Sequence, residues 1–195
     1  MGCDLTTTQA LSDASFLVSE TKLVNFRAAT FTTVTFVGEF DQLQVDGAKL
    51  DGVNAEAAHF SRCDFGHAVL TNSHFTQSSF TDCWFGGASI LDCDFSRAVI
   101  RGCNFEDGVL EKLALVEADL SENDLRQARL ADLCLAHGRY MNLNNQQLIN
   151  ELDRAELDDE RYLGASFYFT GGPLPGRAEI EWSDDLEQNL WVVRC

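Results

Sequence analysis

The sequence has 195 residues, 45% of them hydrophobic and 23% charged, enough apolar material for one buried core with a modest appendage. Fourteen Lys and Arg stand against thirty-one Asp and Glu, a net charge of −17, which argues against direct binding to nucleic acid or to an anionic membrane and for a partner that itself binds polyanions. No apolar run reaches the ~18–20 residues of a membrane span. The first residues lack a signal-peptide layout, and seven Cys without an export signal point to a reducing, cytoplasmic setting.

In chain order, Met1-Gly2-Cys3-Asp4-Leu5-Thr6 fits the M-G-x-x-x-[ST] myristoylation pattern, with Cys3 beside it as a palmitate acceptor. Nothing basic follows to reinforce membrane binding, and Cys3 and Leu5 also fit the repeat that comes next. Leu11, Phe16, Phe26, Phe31 and Phe36 stand on a spacing of five, with polar Thr21 in the gap. From Phe36 the next large residue comes four positions later, at Phe40, which predicts a local distortion of one corner.

From Phe40 to Tyr140 every fifth residue is apolar, and only Ala55 among them is small. Two positions before each such centre stands a compact or apolar residue, as at Ala58, Cys63, Ala68, Ser73, Ser78 and Cys83, with Asn123 the polar exception. An α-helix repeats every 3.6 residues and a strand every 2, so neither produces a period of five. Two inward positions in five suit short straight segments joined by turns, four of which close a square coil of twenty residues. Like then stacks on like at the ~4.8 Å strand spacing. Phe65, Phe85 and Phe105 form one such column, and Leu50, Leu70, Ile90, Leu110 and Leu130 another.

After Tyr140 the pattern changes. Leu148, Ile149, Leu152 and Ala155 fall at helical spacings within 145–163, and Gly164 is a plausible stop. Leu152, Leu157, Tyr162 and Phe167 are again five apart, so a continuing coil competes with the helix, which is the preferred reading. Gly171–Gly176 reads as a turn or linker, and Ala178–Trp182 with Leu190–Arg194 as a hairpin.

Segments such as Ala118-Asp119-Leu120-Ser121-Glu122 and Cys93-Asp94-Phe95-Ser96-Arg97 resemble the A-(D/N)-L-x-x signature of the pentapeptide-repeat proteins. The resemblance implies an all-β fold, a right-handed quadrilateral β-helix over 1–143, followed by a C-terminal helix and a capping or interaction segment over 144–195.

The chemistry-bearing residues mostly have structural readings. Cys63, Cys83 and Cys103 occupy the small i−2 position without a His partner, so packing is expected rather than a metal site. His59, His67, His74 and His137 are scattered at outward positions, and Gly86-Gly87 reads as a corner. No catalytic group, cofactor site or metal site is expected. Acidic character is what remains. Beside the Val45–Phe65–Phe85–Phe105–Leu125 column the outward positions include Asp46, Asp64, Glu106, Asp107 and Asp124, with Trp84 breaking the acidic run as a candidate contact.

Pentapeptide-repeat proteins of the Qnr and MfpA kind are acidic rods thought to mimic duplex DNA, bind DNA gyrase or topoisomerase IV, and protect them from quinolones or related toxins. The resemblance therefore implies partner binding through Asp46, Asp64, Trp84, Glu106, Asp107 and Asp124, and a homodimer formed by the helix bearing Leu148, Ile149, Leu152 and Ala155. The rival expectation is an interaction scaffold or secreted effector of the same fold, its partner read by the C-terminal segment. A single continuous acidic face favours mimicry, and mixed faces favour the scaffold.

Overall fold

The computed structural model describes residues 3–4, 10–22, 24–141, 160–161, 165–169, 178–183 and 188–194. Because the apolar positions recur every five residues, the chain turns at each repeat and presents its centres to one axis. The result is a four-sided solenoid of parallel strands. Face 1 carries the centres Phe40, Phe60, Phe80, Ile100, Leu120 and Tyr140, and all of them are buried. Face 2 carries Val45, Phe65, Phe85, Phe105 and Leu125; face 3, Leu50, Leu70, Ile90, Leu110 and Leu130; face 4, Ala55, Phe75, Phe95, Leu115 and Leu135.

Faces 1 and 3 are true sheets. On face 1, Phe80 pairs with Phe60 on one side and Ile100 on the other. On face 3, Ile90 pairs with Leu70 and Leu110. Faces 2 and 4 are held by single bridges, such as Asp64 to Trp84 to Asn104 and Asn54 to His74 to Asp94. The twenty-residue register puts identical rings over one another. Phe65 lies 4.8 Å from Phe85 at 9°, and Phe85 lies 4.7 Å from Phe105 at 6°. Phe60 to Phe80 and Phe75 to Phe95 repeat the 4.8 Å stack.

Every corner needs a residue with positive φ. Sixteen of the twenty corners from Gln42 to His137 place a non-glycine residue there, including Ala57 at φ 55° and Arg97 at φ 61°. Such residues cost roughly 1 kcal/mol or more each relative to glycine, so the core and ladders hold the corners against local preference.

The corners are of two kinds. After faces 2 and 4 the centre carbonyl accepts the N–H three residues on, as in Ala68 N to Phe65 O at 3.1 Å and Ala88 N to Phe85 O at 2.9 Å. These are type II turns, and the donor is usually Ala. At three of the other corners the i−2 N–H donates to the i−2 side chain of the next coil. Val53 N–H donates to Ser73 Oγ (3.0 Å), Cys83 N–H to Cys103 Sγ (3.4 Å) and Cys103 N–H to Asn123 Oδ1 (2.9 Å). Asn123 also donates from Nδ2 to the Ile100 carbonyl at 2.7 Å, which explains the polar exception in the core.

The four-residue step from Phe36 to Phe40 is absorbed in one long strand, Thr35–Asp41, which continues where a corner would stand and carries Gly38 at φ 111°. Its pairing with Ser15–Lys22 shifts register between Val18 and Thr21. Phe36 and Phe40 approach to 5.4 Å, and the small centre Ala55 falls in this same coil.

At the far end the helix expected over 145–163, with Leu148, Ile149, Leu152 and Ala155, lies outside the described residues apart from a turn at Glu160 and Arg161, as does the Gly171–Gly176 linker. Of the five-residue phase that competed with the helix, Leu152, Leu157 and Tyr162 lie outside the described residues; Phe167 pairs with Tyr140, and the Arg161 carbonyl accepts the Leu135 N–H at 2.6 Å. The expected hairpin forms from Ala178–Ser183 and Gln188–Arg194. Gln188–Arg194 also pairs antiparallel with Ser166–Phe169, so the hairpin extends the last strand of face 1 into a four-stranded sheet. A solenoid end needs such cover, because a bare coil exposes backbone groups.

Candidate protein-binding face

The described residues contain no group of three His, Cys, Asp or Glu able to hold a metal. The thiol column is packing and hydrogen bonding. Cys63 donates to the Phe40 carbonyl at 3.3 Å, and Cys83 to the Phe60 carbonyl at 3.5 Å. On the opposite corner, burial pushes the Cys93 thiol up to about 11. It stays protonated at neutral pH and unsuited to nucleophilic work. All four His are exposed. No described helix is long and apolar enough to cross a membrane.

Charge is distributed over every face, and much of it is paired between successive coils. Arg62 meets Asp41 at 2.6 Å and Arg101 meets Asp119 at 2.6 Å on face 1. Arg129 meets Glu111 at 2.8 Å on face 3, and Arg97 meets Glu117 at 2.9 Å on face 4. The continuous acidic surface that would favour mimicry is therefore absent among the described residues. Face 2 comes nearest to it, with Asp46, Asp64, Glu106, Asp107 and Asp124 against Arg27 and Arg126.

The structure brings all six expected contact residues onto face 2, but gives them different roles. Asp64 and Asp124 sit at i−1, where the carboxylate accepts the N–H two residues on. Asp64 Oδ1 takes Gly66 N–H at 3.0 Å, and Asp124 Oδ1 takes Arg126 N–H at 3.1 Å. Asn104 does the same for Glu106 at 2.8 Å. The D/N of the repeat is thus an Asx-type brace for the corner. Asp64 and Asp124 are therefore corner braces as well as outward charges. Asp64 also lies 3.6 Å from Arg27, and Asp124 2.6 Å from Arg126, which reaches Glu106 at 3.8 Å. Asp46 faces His67 at 3.1 Å, and Asp107 is exposed.

Trp84 is 46% exposed. Its indole lies across Gly66 and Gly86, which are buried despite their outward positions. Sequence reading placed Trp84 outward but missed what it rests on. The signal was present as two successive glycines at i+1 on the face that also carries the tryptophan. The alternation of Ala with Cys or Ser at i−2, which marks the two kinds of corner, was equally available.

Comparison with known proteins bears on the fold. Residues 48–87 match the family description "Pentapeptide repeats" in eight copies. No curated protein matches the chain. A pentapeptide repeat protein of the Arabidopsis thaliana thylakoid lumen is similar in fold, at 18% identity and TM-score 0.52, over 58% of this chain and 83% of that one. HetL, a pentapeptide repeat protein involved in heterocyst differentiation regulation in the cyanobacterium Nostoc, has 20% identity and TM-score 0.49 over 73% of this chain; the match spans 66% of HetL, just under two thirds. QnrB1, a plasmid-mediated fluoroquinolone resistance protein, has 18% identity and TM-score 0.36, over 72% of this chain and 76% of that one.

Proposed function

We propose that this chain, a pentapeptide-repeat protein, is a non-catalytic binding rod whose face 2 engages a positively charged groove on a partner protein, the partner being DNA gyrase or topoisomerase IV. The observation that carries the reading is the gathering of Asp46, Asp64, Glu106, Asp107 and Asp124 on the most acidic of four mixed faces, in a chain with net charge −17. Coils stacked in a twenty-residue register hold these groups in a fixed arrangement, so they meet a DNA-binding groove pre-ordered. The resemblance to the Qnr and MfpA kind supplies the choice of partner. Protection of the enzyme from quinolones or a related toxin would follow from competition with DNA. The same reading keeps the chain cytoplasmic and makes it a homodimer through Leu148, Ile149, Leu152 and Ala155, which sedimentation would test.

Gyrase and topoisomerase IV should each bind the purified protein at low salt, and linear duplex DNA should compete. Affinity should fall steeply between 50 and 200 mM salt, since exposed charges are screened over ~10 Å at 0.1 M. Absence of binding at low salt removes this partner. A second reading, a scaffold of the same fold, draws support from the ion pairs on all four faces and from the hairpin that extends face 1. It predicts that binding to any partner is lost on deleting residues 164–195.

A further inference from the structure

Glycine is favoured where φ is positive and needed where another group comes closer than a Cβ would allow. Gly87, at φ 67°, meets the first condition; Gly66 and Gly86 meet the second. A Cβ at Gly66 would stand 2.9 Å from Trp84 Cδ1, and one at Gly86 would stand 2.5 Å from Trp84 Cζ2. The indole thus rests on the backbone of two coils along its Cδ1–Nε1–Cε2–Cζ2 side, and 46% of the residue stays exposed. A ring held this way has little freedom left to lose on binding.

Its neighbours along face 2 are acidic. Asp64 stands in the coil before, in the same ladder position as Trp84. Glu106 stands in the coil after, its carbonyl accepting the Gly87 N–H at 2.9 Å. An aromatic plate bracketed by carboxylates fits a planar cation. A guanidinium stacked on the indole would share Asp64 or Glu106 with Arg27 or Arg126, which lie 3.6 and 3.8 Å from them, whereas a nucleotide would bring phosphate against the same acids.

We infer that Trp84 is a docking plate for an arginine side chain of a basic protein segment. The inference rests on face 2 being the binding face and adds the chemistry of its central contact. The charge complementarity of a chain with net charge −17 commits the occupant to a cationic protein segment rather than a sugar or a base.

Calorimetry at low salt, with a nine-residue peptide alternating Arg and Gly and with the same peptide carrying neutral citrulline for Arg, tests it directly. The Arg peptide should bind and the citrulline peptide should not. Trp84→Ala should weaken the Arg peptide about five- to tenfold, and Trp84→Phe should retain most of the affinity. Gly86→Ala, which keeps the indole but unseats it, should weaken binding as well. If Trp84→Ala fails to fold, the Phe and Gly86 variants carry the test. Equal affinity for both peptides, no binding of the Arg peptide, or no loss in the Ala and Gly86 variants overturns the inference. Gyrase binding measured on the same samples separates the two readings. Gyrase binding without Trp84 dependence sinks only the plate, and Trp84-dependent peptide binding without gyrase binding sinks only the topoisomerase.

Discussion

The inner and outer sides of face 2 obey different rules on the same short segments. Inward, Phe65, Phe85 and Phe105 are identical and stack at 4.8 and 4.7 Å. Outward, the residues immediately before them, Asp64, Trp84 and Asn104, differ at every coil. Stacking favours repetition inside, because equal rings at equal height fill the axis without voids. Solvent imposes no such demand, so departures from the repeat outside mark where the surface has been shaped for something else. Trp84 with Gly66 and Gly86 is the clearest departure.

Mutations should separate the two sides sharply. Phe85→Ala removes the middle ring of a stack with neighbours above and below, and should cost ~3–5 kcal/mol in denaturant unfolding. A loss under about 1 kcal/mol would mean that the column is not packed. Asn123→Leu keeps the forked shape but strands the Cys103 N–H and the Ile100 carbonyl. That should cost about 1–3 kcal/mol by the same measurement. Ala57→Gly acts at an exposed corner with φ 55° and should stabilise, by about 0.5–1 kcal/mol, because relief of the left-handed strain exceeds the added chain entropy.

The smallest effect is on the surface pairs. Hydrogen bonds from Arg62 hold the Asp41 carboxyl below its ordinary 3.8, and those from Arg97 hold Glu117 below its ordinary 4.5. A folded-state value below the unfolded one means that their contribution is complete above those ordinary values and is lost as pH falls through the folded ones. The unfolding midpoint should therefore drop on acidification below about pH 4, and Asp41→Asn should make the drop shallower.

Much of the interior was legible because one physical demand, burial every fifth residue, sets it. The centres, the Phe stacks and the twenty-residue register follow from that spacing. The Phe36 to Phe40 step was legible as a distortion, though not its resolution in one continuous strand with a register shift. The roles of Asp64, Asp124 and Asn123 were not legible, because a side chain that braces a corner or takes an axial N–H looks in sequence like any polar residue. Those roles depend on which backbone donors the ladder leaves unpaired, and only the coil-to-coil pairing reveals that. The charge of face 2 was over-read for a related reason: the sequence counts carboxylates but does not show that Arg27 and Arg126 reach into them.

The central claim is that the outer side of face 2 binds a partner independently of the fold. Reversing Asp46, Glu106 and Asp107 to Lys together tests it most directly, because none of the three braces a corner as Asp64 and Asp124 do. Gyrase binding at low salt should be abolished, while the thermal midpoint stays within a few degrees of the unaltered protein. Binding that survives the reversal unchanged in a protein that still folds would contradict the account.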